Sequence, residues 1–488
     1  LTFPLGEERR SGWLAPTARA DTRSGFEVSA PYYLNLAPDH DATIIPAVAT
    51  RRGPSAEFEY RYLGTEHSGQ VQLHALPHDT QAGQARGAMN WQHEWNSPLA
   101  SVRTRGLVVS DDSYWKDFSH TVTFRSQTFA AIDALNTTAT ASTTESTAWA
   151  GGGTMQPRLP SQSIQAERAW GWGTVAGQAY ARMLHWQPLQ GTNAAEAFIS
   201  PYQRSPQVGT TLSTPLPGGL DLQVETEVNR FTRPPVELDI AQGLRGGLRW
   251  HALGSVSRPW VSAAGWVIPK LSVNTARYRM DDTGTTDRSE FARTIPTLSV
   301  DGGLNFERRW LWDSRELVQT LEPRVVYVNT PMRDQRDLPN FDSAAKEFNS
   351  TSIFSENAFS GIDRVSDAHQ VTLGLNSRSL DARTGAELLR GSIAQRIQLR
   401  DQLTTPAGTV SNQRVSDLLL AATVGLSPYW GVDSTAQYSP DVQRITRSVV
   451  AVRLFPAAGK TLIAAYRYAR DSAETIELLS LIHISEPT

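Results

Sequence analysis

Gly25-Phe26-Glu27-Val28-Ser29-Ala30-Pro31-Tyr32-Tyr33-Leu34-Asn35-Leu36 alternates residue by residue. In an extended chain Phe26, Val28, Ala30, Tyr32, Leu34 and Leu36 share one face, while Glu27, Ser29 and Asn35 lie on the other. The same period of two returns in Ala56, Phe58, Tyr60 and Tyr62 against Glu57, Glu59 and Arg61. It returns again in Leu220, Leu222, Val224, Thr226 and Val228 against Asp221, Gln223, Glu225, Glu227 and Asn229. Later copies are Val371, Leu373 and Leu375, then Leu462, Ala464, Tyr466 and Tyr468. A helix would scatter these residues around its circumference, whereas a strand gathers them. Such segments, about 10 residues long and parted by Gly, Pro, Asn, Asp and Ser clusters, fit spanning strands. At about 20 residues per strand and connection, the chain supplies roughly 20 to 24 of them.

The next question is whether water or lipid surrounds the strands. With 488 residues, 40% of them hydrophobic, the chain can bury a large apolar area and is not of disordered composition. Its longest nearly unbroken apolar run, residues 418–426, falls far short of the ~18 to 20 residues of a spanning helix. A barrel passes that test differently, because its strands are apolar on one face only and mean hydropathy stays low, here -0.36. Aromatic residues recur near strand ends: Tyr32 and Tyr33, Trp91 and Trp95, Tyr114 and Trp115, Trp170 and Trp172, Trp310 and Trp312, Tyr429 and Trp430. Girdles of this kind mark membrane interfaces. The fold class expected is therefore all-β, a large antiparallel transmembrane β-barrel; a soluble sandwich or β-helix with surface aromatics is the competing architecture.

Charge narrows the partners. The formal net charge is -3, from 46 basic and 49 acidic residues without a long block of one sign, which argues against nucleic acid. All but four basic residues, Lys116, Lys270, Lys346 and Lys460, are arginine. Arginine's planar fork suits phosphate and carboxylate groups, but a GC-rich genome gives the same bias and is the simpler source. No cysteine is present, so this segment holds neither a disulfide framework nor a thiolate metal site. The start, Leu1, lacks the features of a signal peptide and reads as the cut end of a longer protein.

Residues 281–288 and the polar stretch 331–353 read as extracellular loops. Residues 136–147, rich in Ala, Thr and Ser, read either as a low-complexity linker or as a weak strand. Residues 478–488 break the alternation and are expected to be a non-native tail, with the last strands absent and the barrel domain running over residues 1–477.

A set of dispersed blocks carries a family resemblance. The first is Phe3-Pro4-Leu5-Gly6-Glu7-Glu8-Arg9-Arg10-Ser11-Gly12-Trp13-Leu14-Ala15-Pro16, continuing through the opening alternation to Asp39-His40-Asp41-Ala42-Thr43. Others are Arg51-Arg52-Gly53, Tyr60-Arg61-Tyr62-Leu63, Ser110-Asp111-Asp112 with Tyr114 and Asp117-Phe118-Ser119, and Arg204-Ser205-Pro206-Gln207. Further on come Leu321-Glu322-Pro323-Arg324, Asp334-Gln335, Leu338-Pro339-Asn340-Phe341-Asp342 and Phe359-Ser360-Gly361-Ile362-Asp363-Arg364. In order and spacing these resemble the barrel domain of the LptD family, the lipopolysaccharide translocons of the Gram-negative outer membrane. The resemblance implies a closed barrel of about 26 strands, an LptE-like lipoprotein plug in its lumen, and a preceding jellyroll domain that receives lipopolysaccharide from an LptA-like periplasmic bridge. It also places the family's disulfide-forming cysteines in that domain and near the barrel's C-terminus, outside this segment.

Pro4 and Pro16 stand in what should be the first hairpin, and proline cannot donate to a strand ladder. Carried over from the family, they are candidates for a weak seam, a lateral gate through which lipid leaves; the plainer alternative is that they begin and end a strand. Glu57, Glu59, Arg61, Asp221, Glu225 and Glu227 are candidates for the lumen face, where most such residues are solvated wall positions.

Catalytic and cofactor signatures are weak or missing. Gly171, Gly173 and Ala176 satisfy a loose dinucleotide pattern but read as a Trp-Gly strand, with no helix to hold a pyrophosphate. His74 and His78 read as loop histidines, since Pro77 would break a helix presenting both to one metal. Asp111-Asp112 and Asp281-Asp282 lack EF-hand spacing. There is no G-x-S-x-G and no Walker lysine. The expectation is a non-enzymatic conduit without cofactor or metal. A porin or receptor-type transporter, or a barrel phospholipase or protease, are the alternatives.

Overall fold

The computed structural model describes residues 10–118, 159–189, 200–233, 244–281, 289–312, 315–427, 429–457, 460–470 and 473–482. Its first strands are β1 (Gly12–Trp13), β2 (Thr17–Asp21), β3 (Gly25–Ser29), β4 (Tyr32–Ala37), β5 (His40–Ala49), β6 (Gly53–Leu63), β7 (His67–Asp79), β8 (Gln84–Asn96) and β9 (Ser101–Val109). A short helix, α1 (Tyr114–Phe118), follows. Next come β10 (Ser161–Trp172), β11 (Val175–Trp186), β12 (Gln203–Leu216), β13 (Leu220–Thr232), β14 (Gly247–Ser257), β15 (Trp260–Ser262), β16 (Gly265–Met280), β17 (Glu290–Leu304), β18 (Phe306–Trp312) and β19 (Arg315–Thr330). The last are β20 (Ala368–Asp381), β21 (Glu387–Gln398), β22 (Leu418–Ser427), β23 (Trp430–Ser439), β24 (Arg444–Ala457), β25 (Lys460–Ala469) and β26 (Ala473–Ile482).

All belong to one sheet whose ladders are antiparallel between chain neighbours. Proline explains most interruptions: the β1–β2 and β3–β4 breaks contain Pro16 and Pro31, and Pro259 parts β14 from β15. Since β1–β2, β3–β4, β14–β15 and β17–β18 are each one pass split in two, the 26 segments trace 22 passes. Even across residues 110–160, β9 and β10 stay paired, with Gln162 opposite Gly106.

Bulky rings repeatedly sit across the ladder from glycine. Tyr62 faces Gly69, Trp91 faces Gly106, Trp170 faces Gly177, Tyr180 faces Gly209 and Trp266 faces Gly303. In every pair a Cβ on the glycine would run into the ring opposite, so the missing side chain is what lets the ring lie down on the sheet.

The two ends of the sheet differ. One carries short turns, such as residues 38–39, 64–66, 173–174 and 217–219; the other carries connections 110–160, 331–367 and 399–417. Outer-membrane barrels put short turns toward the periplasm and long loops outside. Residues 331–367, which include the stretch 331–353 expected as an extracellular loop, leave from the long-connection end and fold back onto the sheet. Phe341, Ile353 and Asp363 are buried there.

Curvature follows from what this segment touches. It meets Arg204 of β12, Arg249 of β14, Arg293 of β17, Thr372 of β20, Arg396 of β21 and Arg447 of β24. A folded loop can reach so many strands only if that face is concave. The faces are also inverted relative to a water-soluble protein. On β14, Leu248 and Trp250 are each 39% exposed while Arg249 between them is 0% exposed. On β13, Val228 is exposed while Glu227 and Asn229 are buried. Apolar outside, polar inside and an unbroken run of antiparallel ladders along a concave sheet are the features of a large β-barrel wall. Among the described residues no helix is long and apolar enough to cross a membrane.

Two smaller readings change. Tyr114 and Trp115 do not belong to a girdle: both are on α1, with Tyr114 buried in a cluster with Leu76, Leu107 and Phe118. His74 and His78 are strand residues of β7, not loop histidines. Residues 136–147 and 282–288 lie outside the described residues.

Candidate functional site

The inner face is organised by two arginine-centred networks, and the blocks of the sequence meet in them. In the first, Arg249 of β14 holds three carboxylates. Its Nη2 lies 3.0 Å from Glu227 Oε1 and 2.8 Å from Asp342 Oδ2, and its Nη1 lies 2.8 Å from Asp363 Oδ1. Gln207 and Tyr180 donate to Glu227 Oε2 at 2.6 and 3.0 Å, and Arg204 approaches Asp342 at 3.7 Å. The two loop blocks are knitted by their own backbone: Phe341 and Asp342 N–H donate to Asp363, and Ile362 N–H donates to Asp342. Phe341 stacks on Phe231 of β13, centroids 4.3 Å apart, and the Arg249 guanidinium lies 4.8 Å from the Phe231 centroid. Burial opposes ionisation of Asp342, but Arg249, with Arg204 behind it, holds that carboxyl well below the usual carboxylate range.

Gly361 has φ +70 and packs against the Asp342 carbonyl, where a Cβ would collide. Arg364 donates to the carbonyls of Leu338 and Pro339, and Gln335 exchanges two hydrogen bonds with Val365. Residues far apart in the sequence blocks are thus one knot.

The second network is at the long-loop end of β5 to β9. Arg52 reaches Asp79 at 2.6 Å and Asp117 at 2.9 Å, while Arg86 reaches Asp79 at 3.1 Å, Asp111 at 2.8 Å and Asp117 at 2.6 Å. Phe118 lies under both guanidinium groups, at 5.1 and 4.9 Å. His74 shares a 2.6 Å hydrogen bond with the Tyr114 hydroxyl. Asp111 is therefore an arginine partner that fixes α1 after β9.

The candidate residues fall unevenly on this frame. Glu227 is inside the Arg249 network. Glu225, two residues before it on the same face, is half-buried, and Asp221 sits near the short-turn end opposite Pro215 and Ser257. Glu57 borders a small cavity of about 40 Å³ with Arg52, His74 and Phe118. Glu59 accepts a hydrogen bond from Gln72 at 3.1 Å, and Arg61 donates to Asp41 at 2.8 Å. Pro16 is exposed in the gap between β1 and β2, and Pro4 lies outside the described residues. Gly171 and Gly173 occupy the end of β10 and the turn after it.

Sequence reasoning missed Arg249 and Arg86 as centres. The available signal was Leu248-Arg249-Trp250-His251, a charged residue on the polar face of a strand whose other face is apolar. What the networks can do chemically is hold shape: each carboxylate in them is matched by arginine or backbone N–H. Among the described residues no group of His, Asp and Glu is arranged to hold a metal ion.

Comparison with known proteins agrees with this architecture. Residues 78–484 match the family model described as LptD: LPS transport system D. The chain is 37% identical over 490 residues to the LPS-assembly protein LptD of Albidiferax ferrireducens, covering 98% of this chain and 56% of that protein. It is 38% identical over 474 residues to the LPS-assembly protein LptD of an Acidovorax species, covering 96% and 54%. The LPS-assembly protein LptD of an Azoarcus species is 33% identical over 476 residues. The chain thus spans about half the length of the curated relatives it matches. It belongs to the LptD family, LPS transport system D.

Proposed function

We propose that this chain forms the wall of an outer-membrane translocon that delivers lipopolysaccharide to the outer leaflet, as a conduit rather than an enzyme. The observation that carries this reading is the inversion of the faces in a chain of this family, with apolar side chains outward and ionised networks on a concave interior. A glycolipid needs both environments at once: its sugars keep hydrogen-bonding partners only on a polar path, and its acyl chains keep low energy only in lipid. Glu57, Glu59, Arg61, Asp221, Glu225 and Glu227 belong to that polar path in this reading. An LptE-like lipoprotein occupies the remaining lumen, and an LptA-like periplasmic bridge feeds the substrate through a domain preceding the barrel.

The exit is a weak seam beside the first pass, where Pro16 supplies a position without an N–H. Pro4 and Pro16 serve as the weak side of the seam.

The test is depletion of the full-length protein, with surface lipopolysaccharide measured by an impermeant probe alongside uptake of small solutes. Loss of surface lipopolysaccharide with little change in solute flux is expected. Unchanged surface lipopolysaccharide with reduced flux would instead make the protein a porin. Replacing Pro4 and Pro16 together by Ala should slow delivery, and undiminished delivery would remove them from the gate.

A further inference from the structure

Two of the four lysines of this chain meet at one place. A cavity of about 450 Å³ lies between the inner face and the folded-back loop, lined by Lys270, Ser299 and Asp301 from the wall and by Lys346, Phe354 and Glu356 from the loop. That is within the ~300–1,000 Å³ of small-molecule sites. Glu356 is already engaged, 2.7 Å from Lys270 Nζ and 2.6 Å from the Ser299 hydroxyl that donates to it. Asp301 is engaged by Arg324, at 2.6 and 3.0 Å, whose guanidinium also lies 4.5 Å over the Phe354 ring. Arg396 adds a further positive charge behind the loop, donating to the carbonyls of Ser352 and Ile353. Among the described residues Lys346 Nζ makes neither an ion pair nor a hydrogen bond. Two lysines thus line the hollow with two carboxylates that already have partners, and Arg324 and Arg396 stand behind it.

The choice of lysine matters because the two buried networks described above are centred on arginine, at Arg249, Arg52 and Arg86. A guanidinium locks a carboxylate in a planar fork, whereas an ammonium on a four-carbon stem is a mobile point charge. Such a group suits a ligand that must be released. Phe354 offers apolar ring surface beside the charges, and the Ser299 hydroxyl lines the same hollow.

We propose that this cavity is a transient binding site for an anionic saccharide, carrying a phosphate or a carboxylate, gripped by Lys270 and Lys346 beside Phe354 while Glu356 yields its place on Lys270. The site rests on the transport reading only in that its ligand arrives through the lumen.

Calorimetric titration of the full-length protein in detergent with glucose 6-phosphate, glucuronate and glucose tests it. At low salt a charged sugar should bind about tenfold tighter than glucose, with the preference shrinking as ionic strength rises. Comparing glucose 6-phosphate with glucuronate identifies the preferred anion. The preference should vanish in K270Q/K346Q and persist in K116Q. If the double variant does not fold, as judged by loss of heat-modifiable gel migration, K346Q alone is read, since Lys346 holds no wall residue. Equal binding of glucose, no binding, or an unchanged preference in the lysine variants overturns the site. The two readings fail separately: without sugar binding but with surface lipopolysaccharide lost on depletion, only the pocket falls. With sugar binding but delivery independent of the chain, only the transport reading falls.

Discussion

Arg249 carries three carboxylates on a fully buried guanidinium, so its removal leaves three charges in a place with no water to accept them. Breaking a buried pair from one side costs about 3–5 kcal/mol. Arg249→Ala should lower the thermal unfolding midpoint in detergent and make residues 331–367 open to limited proteolysis. Arg249→Lys should do so partially, because one ammonium cannot serve both sides of the fork. Wild-type resistance in Arg249→Ala would mean that the loop is held elsewhere. The Asp342 carboxyl makes its own contribution to acid sensitivity. Asp342 has a folded pKa below its unfolded value, so its contribution is present above the ordinary carboxylate pKa of about 3.9 and is lost only as pH falls below that range. Glu227 was legible on the polar face of its strand from alternation alone. Arg249 was not, because its bond to Asp363 joins residues 114 positions apart, and no local period encodes a partner that distant.

Elements show a different balance. The strands could be read because membrane and lumen impose opposite chemistry on successive residues, and the pattern survives in each segment by itself. The helix α1 could not, since Tyr114 and Trp115 look like a girdle pair until Arg52 and Arg86 are placed above Phe118. Nor could the ring-over-glycine pairs, which need the register of two strands at once. They lead to a prediction. Gly106→Val puts two methyl groups where the Trp91 indole lies, an overpacking cost of about 1–3 kcal/mol. A smaller heat-modifiable folded fraction is expected. Pairing with Trp91→Ala, which empties the space, should restore part of it, and absence of any rescue would show that the ring and the glycine are not coupled.

Over the whole sheet, the alternation count of roughly 20 to 24 strands brackets the 22 passes among the described residues, because turn clusters mark the ends of passes even where proline splits them. The inward course of residues 331–367 escaped the reading: a polar, Asp-rich stretch looks the same whether water or a charged wall receives it. Orientation can be checked with introduced cysteines, since residues 1–488 contain none, with the unsubstituted full-length protein labelled as the control. Asn412→Cys, exposed at the long-connection end, should react with an impermeant maleimide on intact cells, and Thr384→Cys, exposed at the short-turn end, only after the envelope is opened. The reverse pattern would invert the barrel. The aromatic rings laid over glycine have one more effect, on assembly. Sliding a strand by two positions keeps greasy residues outside and charged ones inside, so alternation alone does not penalise the error. Such a slip would drive an indole or phenol onto a side chain at several places around the wall. The same contacts that flatten the rings therefore discriminate against mis-threaded barrels.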